Sequence, residues 1–276
     1  MVASTLSPAE VTRYARQMTL EGWGRDAQER VKSSRVLIAG AGGLGSAAAL
    51  YLLAGGVGTI RLVDDSRVEL SDLSHQILFR EKDLGKAKAT VAGRSLKEIN
   101  PFALVQGQVK KVSGNNVSRL ASGHHLLIDA TNNASARFLL NQAAARFRLP
   151  LIYAWVWEMR GCLATSWPGR GPCLACAFPE GSQVGQPALL NSLPGILGSL
   201  MALEALRILG GLGPSLLGRV ITFKGDHFRF TERIIKPDPQ CPVCRRLTPR
   251  ESLKLASRRA APPRRGAIKP ITGALP

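Results

Sequence analysis

Four of the five cysteines form two CxxC pairs far apart in the chain, Cys173 with Cys176 in GPCLAC and Cys241 with Cys244 in CPVC. A two-residue spacer lets two thiolates reach one ion, and two such pairs complete a tetrahedral shell of sulfurs. A shell filled by protein ligands leaves no position for substrate. The expected role is therefore structural, one zinc ion stapling the C-terminal region. A redox CxxC or two disulfides would use the same residues; the paired spacing favours zinc. The fifth cysteine, Cys162, lies in an alternating stretch and reads as a small buried hydrophobe.

Reactive chemistry has to be sought at a second cluster, the glycine loop Gly40, Gly42, Gly43 and Gly45 in VLIAGAGGLGS. It follows an apolar run and precedes an Ala/Leu-rich one, so it sits where a strand turns into a helix. Glycines there permit a tight turn and let backbone approach a phosphate. The helix start supplies free N–H groups and partial positive charge. Gly40-x-Gly42-x-x-Gly45 fits the dinucleotide-binding pattern, which alone also fits a ligand-free β-to-α turn. Asp64 strengthens the nucleotide reading, because it ends the next strand about twenty residues on, where an acid accepts hydrogen bonds from a ribose. NAD and ATP both suit these residues.

The surrounding pattern supplies elements to hold the two clusters. Residues 8–33 read as helical with a turn at Gly22 and Gly24. A strand is expected over 36–39, a helix over 46–54 stopped by Gly55 and Gly56, and a strand over 59–63. A helix over 86–99 runs into Asn100-Pro101, a break. Strands follow at 104–109, 125–129 and 150–154, with a helix over 134–146. Residues 155–167 and 220–230 read as hairpins, and 195–209 as a strongly apolar helix. Early strands alternate with helices and later ones do not. The expected fold is α/β, with a Rossmann-like core, a mixed and mostly parallel sheet, and a zinc-stapled C-terminal region.

The bulk properties bound the rest. At 276 residues with 45% hydrophobic content, the chain suits one large α/β domain. No continuous apolar run reaches the roughly 18 residues that span a bilayer, and the first residues lack the build of a signal peptide. Cysteines in metal-type pairs suit a reducing compartment, so a cytoplasmic location without membrane association is expected. The formal charge of +18 invites a nucleic-acid reading, but nine Lys and Arg residues against Glu251 alone crowd into the stretch after Cys244. That stretch is rich in Pro, Ala and Gly and reads as a solvated tail, so nucleic acid is not the expected partner. The domain is placed at 1–247 and the basic, disordered tail at 248–276.

Taken in order, several motifs resemble one family. They are Arg13-Tyr14-x-Arg16-Gln17, GAGGLGS, VDDxxVxLSDL from Val63 to Leu73, Gln76, Lys88, Asp129-Ala130-Thr131-Asn132-Asn133, both CxxC pairs and GILGSLMALEALRIL. The chain resembles the MoeB/ThiF/HesA family, bacterial relatives of ubiquitin-activating enzymes, from about Arg13 to Leu247. The resemblance implies ATP with Mg²⁺ rather than NAD. It implies adenylation of the C-terminal Gly-Gly carboxylate of a small ubiquitin-like sulfur-carrier protein, serving molybdopterin, thiamine or related sulfur transfer. It places Gly43 against the nucleotide, Asp64 on the ribose, and Ser71, Asn132 and Asn133 in the nucleotide site. Lys88 would stabilise the α-phosphate region, and Arg16 would reach the ATP site of a partner subunit, which implies a homodimer.

The chain departs from the family at the centre of that site. The usual SNLxRQ is Ser71-Asp72-Leu73-Ser74-His75-Gln76, and the usual D-x-TDN carries Asn132 at its second acid. One reading has Asp72 and Asn132 exchange roles, with Asp72 becoming the magnesium ligand. The other has a weakened site in which His75 no longer grips phosphate as an arginine does, leaving a nucleotide-binding or scaffold protein. Lys86, turned inward, would replace part of the lost charge. The loop before the last apolar helix, 181–194, holds no cysteine, so no thioester or persulfide step is expected there.

Overall fold

The computed structural model describes residues 5–179 and 188–247. Both the expected tail and the first half of the cysteine-free loop lie outside these residues. The chain opens with three short helices, α1 (Pro8–Arg13), α2 (Ala15–Met18) and α3 (Gly24–Ser33). A capping box starts α1, with Ser7 and Glu10 exchanging side-chain and backbone hydrogen bonds. Then come β1 (Arg35–Ala39), α4 (Gly43–Ala54), β2 (Thr59–Asp64), α5 (Lys88–Lys97) and β3 (Leu104–Val109). They are followed by α6 (Val117–Ala121), β4 (Leu126–Asp129), α7 (Ala134–Phe147), β5 (Leu151–Trp157) and β6 (Arg160–Ser166). The last elements are α8 (Leu174–Ala177), α9 (Ser192–Gly210), β7 (Arg219–Lys224) and β8 (Arg229–Ile234).

Among the described residues, eight strands join one sheet in the order β3-β2-β1-β4-β5-β6-β7-β8. The pairings from β3 through β5 are parallel, and those from β5 through β8 are antiparallel. The mixed sheet matches the sequence expectation. In the parallel half both faces are covered, which is why Val36, Leu37, Ile38 and Ala39 are consecutive and all buried. Val36, Ile38, Ile60 and Leu62 point into a core shared with α4 and α9. Leu37, Ala39 and Leu127 point the other way, into a core built with α6 and α7. Strand alternation thus divides one apolar run between two cores.

Several elements differ from expectation, three of them instructively. Helix α4 begins at Gly43, three residues before the expected start, so Gly43 and Gly45 belong to its first turn. Glycine normally disfavours a helix interior. Here a Cβ on Gly45 would sit 1.9 Å from the Gly40 carbonyl oxygen, so backbone packing demands the glycine. The 150–154 strand and the first arm of the expected hairpin are one strand, β5, which turns into β6 at Glu158 and Met159. A 3₁₀ turn, Leu70–Ser74, fills a stretch with no expected element.

Helix α9 is long and apolar enough to cross a membrane by length and composition. It also carries Glu204, which is buried and accepts hydrogen bonds from Thr165 Oγ1, Ser215 N and Leu216 N. Its packing against α4 and β5 makes it a core helix.

Candidate functional site

In this strand order the connections from β1 and β4 diverge to opposite faces, and a crevice opens beyond the C-terminal ends of those strands. A cavity of about 520 Å³ occupies it, lined by the glycine loop, the end of β2, the 3₁₀ turn, Lys88 and the 130–133 loop. Gly40 turns the chain out of β1 with φ +97°, and a Cβ there would meet the Ala130 carbonyl oxygen at 2.5 Å. The glycine therefore lets the two crossover loops touch. Helix α4 follows from Gly42 with no side-chain cap, so its first N–H groups face the cavity end without one.

Asp64 closes β2 and holds the loop in place. Its Oδ2 accepts from Ala41 N at 2.7 Å, and its Oδ1 accepts from Ser66 N at 2.8 Å. Asp72 and Lys88 face each other in the cavity wall, with Nζ to Oδ2 at 2.9 Å. The same carboxylate accepts from Glu69 N at 2.8 Å and from Gln76 Nε2 at 2.6 Å. Asp72 is thus the reach-back acid of a capping box that shapes the 3₁₀ turn. Gln76 spends its Nε2 on Asp72, and its buried Oε1 has no partner among the described residues. Leaving such an acceptor unmet costs about 1–3 kcal/mol, which a bound donor would recover.

His75 lies between Ser74 and Gln76, its Nδ1 3.1 Å from Ser74 Oγ. Burial lowers its pKa below the ordinary histidine value, and the nearby Lys88 charge acts in the same direction while Asp72 opposes it. The imidazole is neutral at neutral pH and supplies no fixed charge to the cavity. Lys86 is not turned inward. Its Nζ donates to the Lys82 carbonyl at 2.6 Å and lies 3.4 Å from Asp83, outside the cavity wall.

The structure brings Gly40, Gly42, Gly43, Asp64, Asp72, His75, Lys88, Asn132 and Asn133 to one cavity. Asn133 also caps α7, its Oδ1 accepting from Ala136 N at 2.9 Å. Ser71 is exposed on the 3₁₀ turn and Gly45 is packed behind the loop, so neither lines the cavity. Arg16 is exposed on α2 and does not line the cavity of its own chain. Lys110 and Lys111, just past β3, do line it, and their place at the end of a parallel strand is the sequence signal that marks them. Beneath the 130–133 loop, Arg137 and Asp129 form a fully buried ion pair. Asp129 Oδ1 accepts from Thr131 N at 3.0 Å and Thr131 Oγ1 at 2.7 Å.

The four paired cysteines converge near Asn141 of α7, with all sulfurs within 4.8 Å of one another. Cys173–Cys176 is 3.9 Å, and Cys173–Cys241 and Cys176–Cys244 are each 3.5 Å. None is in a disulfide. The edge of a tetrahedron with metal–sulfur bonds near 2.3 Å is about 3.8 Å, so the spacing fits four thiolates on one ion. Asn141 Nδ2 donates to Cys173 Sγ at 3.6 Å and Asp238 N to Cys176 Sγ at 3.4 Å, as second-layer donors to thiolates do.

Comparison with known proteins places the chain in a family. HesA of Leptolyngbya boryana is 36% identical over 241 residues, covering 87% of each chain. A protein of Thermus thermophilus named sulfur carrier protein adenylyltransferase is 35% identical over 246 residues, covering 85% of this chain and 91% of its own. Among solved structures, E. coli MccB with MccA-N7isoASN superposes with a TM-score of 0.78 at 22% identity, over 87% of this chain and 76% of MccB. That likeness concerns the fold. The ThiF family matches residues 14–243. With most of the chain matched and relatives above one-third identity over nearly their full length, this chain belongs to the ThiF family.

Proposed function

We propose that this chain uses ATP to adenylate the C-terminal Gly-Gly carboxylate of a small ubiquitin-like sulfur-carrier protein, releasing pyrophosphate. The observation that carries the reading is the single cavity facing both an uncapped α4 N-terminus and Lys88. In the reaction a carboxylate oxygen bonds to the α-phosphorus as the bond to pyrophosphate breaks. Two anions must approach, so donors fixed on the phosphates carry the catalysis. The α4 amides would hold phosphate oxygens. Lys88 would move its charge from Asp72 to the α-phosphate region. Asp64 keeps lone pairs for ribose hydroxyls beyond those it spends on Ala41 and Ser66. The adenylyltransferase name of the Thermus relative supports ATP over NAD.

Magnesium would arrive with the triphosphate, since this ion is usually held by substrate phosphates, waters and one or two carboxylates. Asp72 already serves three donors, which argues for a lysine-positioning role rather than a metal-ligand one. Zinc is the proposed occupant of the four-cysteine centre, with a structural role. Arg16, exposed on α2, is proposed to act across a homodimer. A second reading, a weakened nucleotide-binding or scaffold protein, is favoured by the neutral His75.

The test is ATP–pyrophosphate exchange with and without carriers ending in Gly-Gly, alongside calorimetric binding of ATP and NAD. Carrier-dependent exchange supports adenylation. Tight ATP binding with no exchange for any carrier moves the assignment to the second reading, and NAD binding without ATP binding refutes both.

A further inference from the structure

Helix α7 runs between the two centres, and one of its faces is polar where a core face is expected. Asn133, Arg137 and Asn141 recur at every fourth position, one above another. Arg137 and Asn141 are each fully buried. At the cavity end Arg137 pairs with Asp129, and its guanidinium donates to the Thr131 carbonyl at 2.9 Å and the Ala154 carbonyl at 3.2 Å. One turn on, Asn141 donates to Cys173 Sγ at 3.6 Å. Its Oδ1 accepts from Leu174 N at 3.1 Å, the first N–H of the CxxC turn, and from Ser166 Oγ at 3.3 Å.

Stability alone does not ask for this arrangement. A buried ion pair is commonly matched by apolar residues of similar volume, while losing one partner is severe. A buried amide is likewise retained only with its partners met. What the polar face does supply is geometry. One end fixes the 130–133 loop in the cavity wall, and the other fixes the first cysteine pair. Both ends are hydrogen bonded to the same rigid helix.

We propose that Arg137 and Asn141 make α7 a link through which metal occupancy of the cysteine centre sets the order of the 130–133 loop, with Arg137 as a positioning residue for the cavity. With the ion bound, Cys173 is held, Asn141 keeps its place and α7 seats Arg137 under Thr131. Without it, the CxxC turn loosens, the Asn141 contacts lengthen and Thr131 loses its anchor. The proposal rests on the four cysteines holding a metal and not on adenylation.

The experiment is hydrogen–deuterium exchange on the full chain, zinc-loaded and after zinc extraction by a chelator, with zinc content measured in both states. In the wild type, peptides covering 129–137 should exchange about tenfold faster without zinc, while β2 and β3 stay unchanged, the signature of local opening. Asn141→Leu with zinc bound should show the fast loop in both states, so the dependence on zinc disappears. Arg137→Lys should do the same while the cysteine-pair peptides stay protected. No zinc bound, no change at 129–137 on extraction, or an equal rise throughout the sheet would each overturn the proposal. Should Asn141→Leu not fold, the wild-type extraction decides by itself.

Discussion

Lys88 and Asp72 meet in the cavity wall at 2.9 Å, both side chains close to nine-tenths buried at 11% and 12% exposure. A buried lysine with a partner is held in place. The pair keeps Lys88 aimed until an anion competes for it. Lys88→Ala should reduce exchange by on the order of 10²–10³, the usual loss for one donor to a developing charge. Asp72→Asn should reduce it less, by roughly tenfold, through misplacement of the lysine, with the magnesium requirement unmoved. An Asp72→Asn variant whose magnesium requirement shifts several-fold would instead make Asp72 a metal ligand.

His75 contributes no fixed charge because burial holds its pKa below the ordinary value. An arginine there would carry a permanent charge and a bidentate grip. His75→Arg should therefore raise exchange by about tenfold at neutral pH, with most of the gain in turnover. If the variant is equal to or worse than wild type at all pH values between 6 and 8, the histidine is doing something the arginine cannot. The Ser74 Oγ contact at 3.1 Å is then the place to look.

The parts of this molecule legible in the sequence share one trait: the residues that signal them act where they stand. The glycines mark a turn that only they can make, as Gly40 at φ +97° shows. The cysteine spacing encodes a geometry two residues wide. What escaped reading depends on which way a side chain turns and what folds against it. Arg137 on α7 looks like a solvated helix arginine until Asp129 and Ala154 are brought beneath it. Lys86 reads as a spare cation for the site, yet Asp83, three residues back, takes it outward. That Asp72 pairs with Lys88 across the cavity wall is likewise invisible in the local sequence. Helix α4 starts early because its glycines are required by packing, a cause invisible to propensity.

The cysteine centre joins two segments 68 residues apart, through the Cys173–Cys241 and Cys176–Cys244 contacts. A metal that binds only the folded chain adds its binding free energy to stability. Extracting it, or Cys241→Ser, should lower the melting temperature by roughly 10 °C or more, taking about 2–4 °C per kcal/mol for a domain of this size. Readdition of zinc should restore the wild type and not the variant. Melting that is indifferent to the chelator would remove the centre from the account of stability.

His124 offers a prediction about acid. It is 7% exposed. Burial first, and then the Arg61 and Arg35 charges, lower its pKa to about 4. The unfolded chain binds this proton near pH 6.5 and the folded chain does not, so stability is complete above that pH and falls as pH drops toward about 4. The loss from this one group is about 3 kcal/mol at most. Denaturant unfolding at pH 7 and pH 4.5 should show a smaller difference for His124→Gln than for wild type. An identical pH dependence in both would mean that His124 takes up its proton in the folded chain.

Arg16 is exposed on α2 and does not line the cavity of its own chain. A role at the phosphates therefore requires a second copy to bring it there. In such a dimer each site draws Lys88 from one subunit and Arg16 from the other. Arg16→Ala and Lys88→Ala should each be inactive as pure homodimers. Mixed and allowed to exchange subunits, half of the dimers would be mixed, and each of those would hold one intact site of two. About one quarter of wild-type exchange activity should return, as symmetry and random pairing dictate. No recovery, under conditions where native mass spectrometry shows that subunits have exchanged, would place Arg16 in its own subunit's site, and a fully active Arg16→Ala homodimer would place it outside the reaction. A monomer at micromolar concentration that retains full activity would rule out the shared site altogether.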